Sequence, residues 1–176
     1  MFNTCKIVID IIVICNKVKG GYIVVMDIGS GTGYPSSALS NFAPHPFVID
    51  GVECSSMEGF LQSLKFKDVE MQKAVCLLVG KAAKFKGKKK KWHRTQTLYW
   101  KGTEYKRDSE EYQQLLDKAF DALSQNVGFQ KALLATGTAT LTHSIGKNKQ
   151  SETVLTRSEF CSRLTAIRER LQNMNR

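Results

Sequence analysis

The sequence predicts a single compact α+β domain that is rich in helix, with a small β-hairpin or sheet and about six helices. Amphipathic helical periods recur along the chain after residue 55, and two turn dipeptides each separate a pair of short β-type runs. Neither an internal repeat nor a linker divides the 176 residues. A chain of this length suits one domain with its own hydrophobic core.

Two turn signals predict β-hairpins. Asp50-Gly51 separates Phe47–Ile49 from Val52–Cys54, and Asp-Gly is a preferred two-residue hairpin turn. A second short strand pair is predicted around Lys101-Gly102, within the run TQTLYWKGTEYKRD. The first hairpin leads the chain directly into a helix.

This helix is predicted to begin at Ser55. Ser55 is the expected N-cap, and Glu58 three residues later completes the pattern of a capping box. Its core-facing stripe comprises Met57, Phe60, Leu61 and Leu64. Gly59 fits badly, because an interior glycine costs about 1 kcal/mol relative to alanine. We expect Gly59 and Ser63 to form a small-residue stripe that lets a ligand approach the backbone.

Two shorter helices and a loop are predicted from apolar periods and glycine stops. An apolar period over Val69–Val79 ends at Gly80, and the run GFQKALLATG predicts a short helix that ends at Gly137. The polar run TATLTHSIGKNKQSETV that follows is predicted to be a loop.

Capping boxes open the two remaining helices. Asp108 with Glu111 precedes the clearest apolar period in the chain, and Thr156 with Glu159 precedes the last helix. The expected buried stripe of the first is Tyr112, Leu115, Leu116, Ala119, Phe120 and Leu123, and that of the second is Phe160, Leu164, Ile167 and Leu171.

The positive charge of the chain is concentrated in one segment. Of a formal net charge of +10, eight charges lie between Lys81 and Arg94, in KAAKFKGKKKKWHR, which has no acidic residue. Such a run is either a solvated surface or a phosphate-binding segment for a small anion or a nucleic-acid backbone. Trp92 within the run favours binding, because an indole can stack on a base while lysines hold phosphates. Trp100 is the expected core tryptophan.

Residues 1–25 are expected to form an N-terminal extension to a domain of residues 26–176. The apolar run KIVIDIIVIC is about ten residues long, which is too short to span a membrane, and no small-residue cleavage site follows it. The run KGGYIVVM is what a purine-rich ribosome-binding site would encode, so translation could start at Val24, Val25 or Met26. We expect no membrane association.

The sequence suggests neither a metal nor a cofactor. The five cysteines are scattered, without zinc-ligand spacing, which predicts free thiols in a reducing cytoplasm. The run GSGTGY lacks the third glycine of a dinucleotide fingerprint. Near His143, the residues Thr142, Ser144, Gly146 and Lys147 gather polar donors in one loop that suits an anion or a ribose.

The run LSNFAPHPFVIDGVECSSMEGFLQSLKF resembles the signature of the NADAR family, the YbiA-like N-glycosidases. Its first part corresponds to Ser40, Asn41 and Phe42, and its second part to Ser56, Glu58, Gln62, Lys65 and Phe66. The runs VGKAAK, KKKKW and ALSQNVGFQKALLATGTATLTHS follow in the family's order, so the resemblance covers about Ile28 to Leu171.

The resemblance implies a YbiA-like fold and hydrolysis of an N-glycosidic bond to a ribose that carries phosphate or ADP. It makes Glu58 the catalytic carboxylate, and it assigns the functional tryptophan best to Trp92, with Trp100 as the alternative. Stacking by Trp92, ribose contacts by Asn41 and Gln62, and phosphate contacts by Lys65, Lys81 and Lys147 are expected. Gly59 would leave room for the substrate at the first helical turn.

The substrate is left open between two branches of the family. One acts on ribosylamino-pyrimidine phosphates of riboflavin synthesis, and the other on ADP-ribosylated guanine in nucleic acid. In the loop before the last helix, where YbiA-type members have an acidic residue and a Trp-Gly pair, this chain has THSIGKNKQSET. The alternatives outside catalysis are a sensor module for ADP-ribose or NAD and a basic nucleic-acid-binding protein.

Overall fold

The computed structural model describes residues 13–18 and 21–174. Most of the apolar run Lys6–Cys15, together with Lys19 and Gly20 of the proposed translation-start region, lies outside these residues. The strands are β1 Val13–Val18, β2 Gly21–Asp27, β3 Phe47–Ile49, β4 Val52–Cys54, β5 Thr97–Trp100, β6 Thr103–Lys106 and β7 Thr140–Thr142. The helices are α1 Ser36–Leu39, α2 Met57–Ser63, α3 Val69–Cys76, α4 Gly80–Lys88, α5 Glu110–Leu123, α6 Val127–Ala135 and α7 Arg157–Met174.

The strands form three small sheets within the described part of the chain. Both predicted hairpins are confirmed: β3 pairs with β4 around Asp50-Gly51, and β5 pairs with β6 around Lys101-Gly102. In the third sheet, β2 lies between an antiparallel β1 and a parallel β7. The helix-rich α+β fold class is therefore confirmed.

The prediction of a continuous loop after Gly137 was wrong. Its first part forms β7, in which Leu141 is buried and pairs with Met26. A 3-10 turn spans Gln150–Glu152 later in the same run. Three residues are too few to show a strand period, and the partner strand lies more than a hundred residues earlier, so local pattern could not reveal this strand.

Helix α2 lies at the centre of the core, with all seven of its residues buried. The predicted stripe of Met57, Phe60, Leu61 and Leu64 is at most 2% exposed. The stripe of α5 is buried in full, as is that of α7 except Leu171, which is partly buried against the core. None of the described helices is long and apolar enough to span a bilayer.

Two predicted helix caps are displaced by one residue. Ser56, not Ser55, caps α2: its Oγ accepts a hydrogen bond from the N–H of Gly59 at 3.0 Å and donates one to the carbonyl of Leu78 at 2.9 Å. Glu58 is thus the second helical residue, and the predicted capping box with Ser55 does not form. Likewise, Ser109 rather than Asp108 caps α5. A serine follows the predicted cap in both places, so sequence alone leaves two registers open.

The capping box of α7 is confirmed and extends into a buried ion pair. The N–H of Thr156 donates to Glu159 Oε2 at 2.7 Å, and the N–H of Glu159 donates to Thr156 Oγ1 at 3.2 Å. Arg107, which is fully buried, donates to both carboxylate oxygens of Glu159 at 3.1 and 2.6 Å. Its Nε also donates to the carbonyl of Thr153 at 2.8 Å. This Arg107–Glu159 clamp fixes the segment that leads into α7.

The clamp predicts an acid-dependent contribution to stability. Burial alone would raise the pKa of Glu159, but hydrogen bonds from Arg107 and Thr156 outweigh it and lower the pKa from 4.5 to about 2. The carboxylate therefore stabilises the fold above about pH 4.5, and this contribution is lost as the pH falls towards 2. The full shift corresponds to about 3 kcal/mol, and partial contact with solvent reduces it to about 2 kcal/mol.

We expect Glu159→Gln to lower the free energy of unfolding in urea by about 2 kcal/mol at pH 7 and by much less near pH 2.5. Glu53→Gln, at an exposed position of β4, is the matched control and should change little at either pH. An equal loss for Glu159→Gln at both pH values would contradict the assignment.

Candidate functional site

A cleft of about 410 Å³ opens beside the N-terminal half of α2. One wall comes from α2, α4 and the segment after α1, and the other from the chain between β7 and α7. The lining residues are Ser30, Ser40, Asn41, Phe42, Glu58, Leu61, Gln62, Lys65, Lys84, Trp92, His143, Ile145, Gly146, Lys147, Glu152, Thr153, Val154, Leu155 and Phe160.

Glu58 lies in this cleft with only 5% of its surface exposed. Its backbone N–H donates to the carbonyl of Asn41 at 2.8 Å, which ties the segment after α1 to the first turn of α2. Its Oε1 accepts a hydrogen bond from Gln62 Nε2 at 2.8 Å and lies 3.6 Å from Lys84 Nζ. None of the described residues donates to Oε2, so this oxygen is available to a water or a ligand.

The polar network continues from Gln62 to Lys65, which lies just beyond the end of α2. Lys65 Nζ donates to Gln62 Oε1 at 2.7 Å, and Gln62 is 2% exposed. Burial lowers the pKa of Lys65, the nearby charge of Lys84 adds to this, and Glu58 partly opposes both, so that the resulting pKa is about 8. The cleft thus holds an ammonium that titrates close to neutral pH.

Lys84 is a cleft residue that sequence reasoning did not single out. It comes from α4, whose buried positions are Gly80, Ala83 and Gly87. A Cβ at Gly87 would lie 1.9 Å from Gln62 Oε1, so glycine lets α4 approach α2 while the amide of Gln62 keeps its position. The spacing i, i+3, i+7 of small residues within the basic run was the available signal for a closely packed helix.

His143 belongs to the opposite wall. Its Nδ1 lies 2.7 Å from the carbonyl of Ile28, and a carbonyl only accepts, so Nδ1 carries the proton. In the neutral ring, Nε2 is then the acceptor. The His143 ring packs edge-to-face on Phe160 with centroids 5.2 Å apart. These contacts fix the imidazole at the rim of the cleft.

Asp27 holds the start of this wall in place. Its two carboxylate oxygens accept hydrogen bonds from the N–H and the hydroxyl of Ser144, each at 2.6 Å, and Thr142 Oγ1 donates at 3.2 Å. Burial would raise the pKa of Asp27, but these hydrogen bonds outweigh it and hold the pKa below its usual value. Further along, Lys147 and Glu152 form an exposed ion pair at 3.4 Å.

The structure brings together nine of the twelve residues that the sequence assigns to the site. They are Ser40, Asn41, Phe42, Glu58, Gln62, Lys65, Trp92, His143 and Lys147. Lys81 is exposed on α4 and does not line the cleft, whereas Lys84 of the same helix does. Thr142 also lies outside the cleft, because its hydroxyl is directed to Asp27.

The expected reason for Gly59 was wrong. A Cβ at this position would lie 2.7 Å from the carbonyl oxygens of both Cys76 and Leu78 and 3.1 Å from that of Val75. The glycine therefore makes room for the backbone between α3 and α4, not for a ligand. Ser63 is buried and donates to the carbonyl of Phe60 at 2.7 Å, so the proposed small-residue stripe does not face the cleft.

The two tryptophans lie in different parts of the structure, one at the cleft and one in the core. Trp92 lies in a 3-10 turn and lines the cleft with 9% of its surface exposed. Trp100 is 3% exposed, packs edge-to-face on Phe60 at 5.1 Å and donates its Nε1–H to Asp50 at 2.8 Å. Trp92 is thus positioned to contact a ligand, and Trp100 is a core residue. In the described part of the chain, no three His, Cys, Asp or Glu residues form a group suited to a metal ion.

The fold and the cleft define a YbiA-like α+β domain. The structure is similar to the NMR structure of the E. coli protein YbiA, with a TM-score of 0.53, 20% identity, and coverage of 80% of this chain and 81% of that chain. At this identity the likeness establishes the fold alone.

The model of the family described as Bacteriophage protein GP30.3 matches residues 33–169, and the chain belongs to this family. It is 40% identical over 151 residues to an uncharacterized 17.1 kDa protein in the Gp30-rIII intergenic region of Enterobacteria phage T4. That match covers 83% of this chain and 98% of the phage protein.

The packing at Gly59 gives a stability prediction. Gly59→Ala should lower the free energy of unfolding by about 1–3 kcal/mol, because the added methyl group forces backbone carbonyls apart. Gly31→Ala is the matched control, since a Cβ there meets no atom within 4 Å, and it should be nearly neutral. Urea unfolding of both variants measures the difference. Equal stabilities for the two would refute the packing role.

Proposed function

We propose that the protein is a NADAR-type N-glycosidase that hydrolyses the bond between a base and a ribose carrying phosphate or ADP. The observation that supports this most is the state of Glu58. A nearly buried carboxylate reaches a cleft of about 410 Å³ with one oxygen held by Gln62 and the other without a donor among the described residues. A preorganised carboxylate of this kind suits a cationic transition state.

In the proposed reaction, the C1′–N bond breaks as the ribose gains oxocarbenium character, which the charge of Glu58 stabilises. Glu58 Oε2 orients a water, which adds its oxygen to C1′. One proton of that water passes to the carboxylate, which then gives it up, and the leaving base takes up one proton in exchange, so that Glu58 is ionised again at the end of the cycle. Gln62 acts as a positioning residue, because its amide fixes Oε1 and so the rotamer of Glu58.

In this proposal, the remaining cleft residues contact different parts of the substrate. Trp92 stacks on the leaving base, and Asn41 contacts the ribose hydroxyls. Lys65, Lys84 and Lys147 take the phosphates, with Lys84 in place of the Lys81 expected from sequence. A phosphate that binds Lys147 must compete with Glu152 for the ammonium. An exposed ion pair contributes only about 0–1 kcal/mol to stability, so a phosphate can replace Glu152.

Two substrate classes fit this chemistry: the ribosylamino-pyrimidine phosphates of riboflavin synthesis, and ADP-ribosylated guanine in nucleic acid. Both present a ribosyl C–N bond and at least one phosphate to the same residues. A sensor that binds ADP-ribose without turnover would use the same cleft but would have no need of a free Glu58 Oε2.

Glu58→Gln tests the catalytic role, because the amide keeps the shape of the side chain but removes the charge. We expect kcat to fall at least about a thousandfold, while ligand affinity changes by only a few-fold. Released base is followed by mass spectrometry in EDTA, with each substrate class offered separately. Gln114→Glu, at an exposed position of α5, controls for the effects of substitution and purification, and its kcat should equal that of the wild type. Binding without release by the wild type would identify the sensor, and full activity of Glu58→Gln would overturn the mechanism.

Lys65 gives the proposal a pH signature. Its ammonium is charged below a pKa of about 8, so the KM for a phosphorylated substrate should rise several-fold as the pH goes from 7 to 9. Lys65→Arg keeps the charge throughout this range and should flatten the rise. The other ionisable groups of the cleft are Glu58, Lys84, His143, Lys147 and Glu152. An unchanged rise in Lys65→Arg would assign it to one of these instead.

A further inference from the structure

The outer face of α4 is an unusual surface. The helix turns small residues to the core, namely Gly80, Ala83 and Gly87, whereas its one aromatic side chain, Phe85, is 62% exposed. A helix that serves only to cover a core places its largest apolar residue inward. Here Gly87 packs closely against the side chain of Gln62, and Phe85 is left for solvent or a partner.

A dense positive charge surrounds Phe85. The exposed basic residues of the segment are Lys81, Lys84, Lys86, Lys88, Lys89, Lys90, Lys91 and Arg94. Within the described residues, Lys84 is the one member of this set that lies within ion-pair distance of a carboxylate, that of Glu58. The positive potential of the other seven is therefore not neutralised locally, which makes the segment attractive to a polyanion.

Lys81 and Lys88 flank Phe85 on the same helix face, at positions i−4 and i+3. Lys88 Nζ lies 5.7 Å from the centroid of the Phe85 ring. An exposed aromatic ring between two ammonium groups matches the needs of a nucleotide, whose base stacks while its neighbouring phosphates are held. We propose that this α4 face (Lys81, Phe85 and Lys88) is a docking surface for single-stranded nucleic acid.

Single strands fit this face better than the alternative polyanions. A duplex keeps its bases stacked and offers only phosphates, so Phe85 would gain nothing from it. A membrane-binding helix inserts a broad apolar face, whereas α4 exposes one large apolar side chain. The basic segment also reaches the cleft, because Lys84, the neighbour of Phe85 in sequence, and Trp92, near the end of the segment, both line it. Docking is a binding property and does not rest on the proposed hydrolysis.

Fluorescence anisotropy with an unmodified, labelled 15-nucleotide DNA strand tests the surface. This probe has no ADP-ribose, so hydrolysis cannot interfere. We expect Phe85→Ala to weaken binding roughly tenfold, as loss of one stacked base predicts. Lys81→Gln/Lys88→Gln should reduce the slope of log K against log salt by about 1.4, which is about 0.7 for each lost phosphate contact. None of these variants alters Lys84 or another cleft residue.

The matched control is Lys73→Gln/Lys131→Gln, which removes the same charge from α3 and α6. It should leave the slope nearly unchanged. An equal loss of slope in this control, an unaffected Phe85→Ala, or equal affinity for the duplex form of the probe would each overturn the proposal. So would tighter binding to vesicles of anionic phospholipid than to the strand. If the α4 face does not bind the strand but turnover still depends on Glu58, the docking surface is refuted and the proposed function is not. If the face binds the strand but no turnover is found, the proposed function is refuted and the docking surface is not.

Discussion

Close approach at two glycines determines how the cleft is assembled. Gly59 allows the carbonyls of Cys76 and Leu78 to lie against α2, and Gly87 allows α4 to pass over Gln62. The chain between α3 and α4 is thereby held to one side of α2, and α4 crosses its polar face. This crossing brings Lys84 to 3.6 Å from Glu58, although the two residues are 26 positions apart. A side chain at Gly59 would push backbone carbonyls away from α2, and a side chain at Gly87 would displace the amide of Gln62 from its present position.

The buried polar groups of α2, together with Lys65 just beyond it, contribute unfavourably to the free energy of folding. Glu58 and Gln62 are almost fully buried, and Lys65 is held in an environment that disfavours its charge. Buried polar groups of this kind rarely stabilise a protein more than well-packed apolar residues would, even when they are paired. Their hydrogen bonds satisfy one another along the helix, which limits the cost and fixes each rotamer. Such an arrangement is consistent with the proposed binding of a charged substrate.

Local pattern predicted what depends on neighbours in sequence. The two hairpins, the stripe of α5 and the capping box at Thr156 follow from turn dipeptides, period and cap spacing, and all are present. Glu58 was identified as a candidate residue because it lies in a run that resembles a family signature. The N-cap of its helix was predicted one residue too early, because Ser55 and Ser56 can both cap a helix. Lys84 was missed because its position depends on a helix crossing, and β7 because its pairing with β2 is distant in sequence.

The two walls of the cleft are stabilised independently. The first consists of α2, α4 and the segment after α1, and its two helices are held by close packing at Gly59 and Gly87. The second, from His143 to Thr156, is held by Asp27 at its start and by the Arg107–Glu159 clamp at its end. In its middle, Ile145 is 78% exposed, and the ammonium of Lys147 pairs with Glu152 alone among the described residues. A change in that middle segment can therefore alter what the cleft accepts without disturbing Glu58. Since this loop is also where the chain departs from the YbiA-type pattern, the proposed function assigns substrate choice to the second wall and bond cleavage to the first.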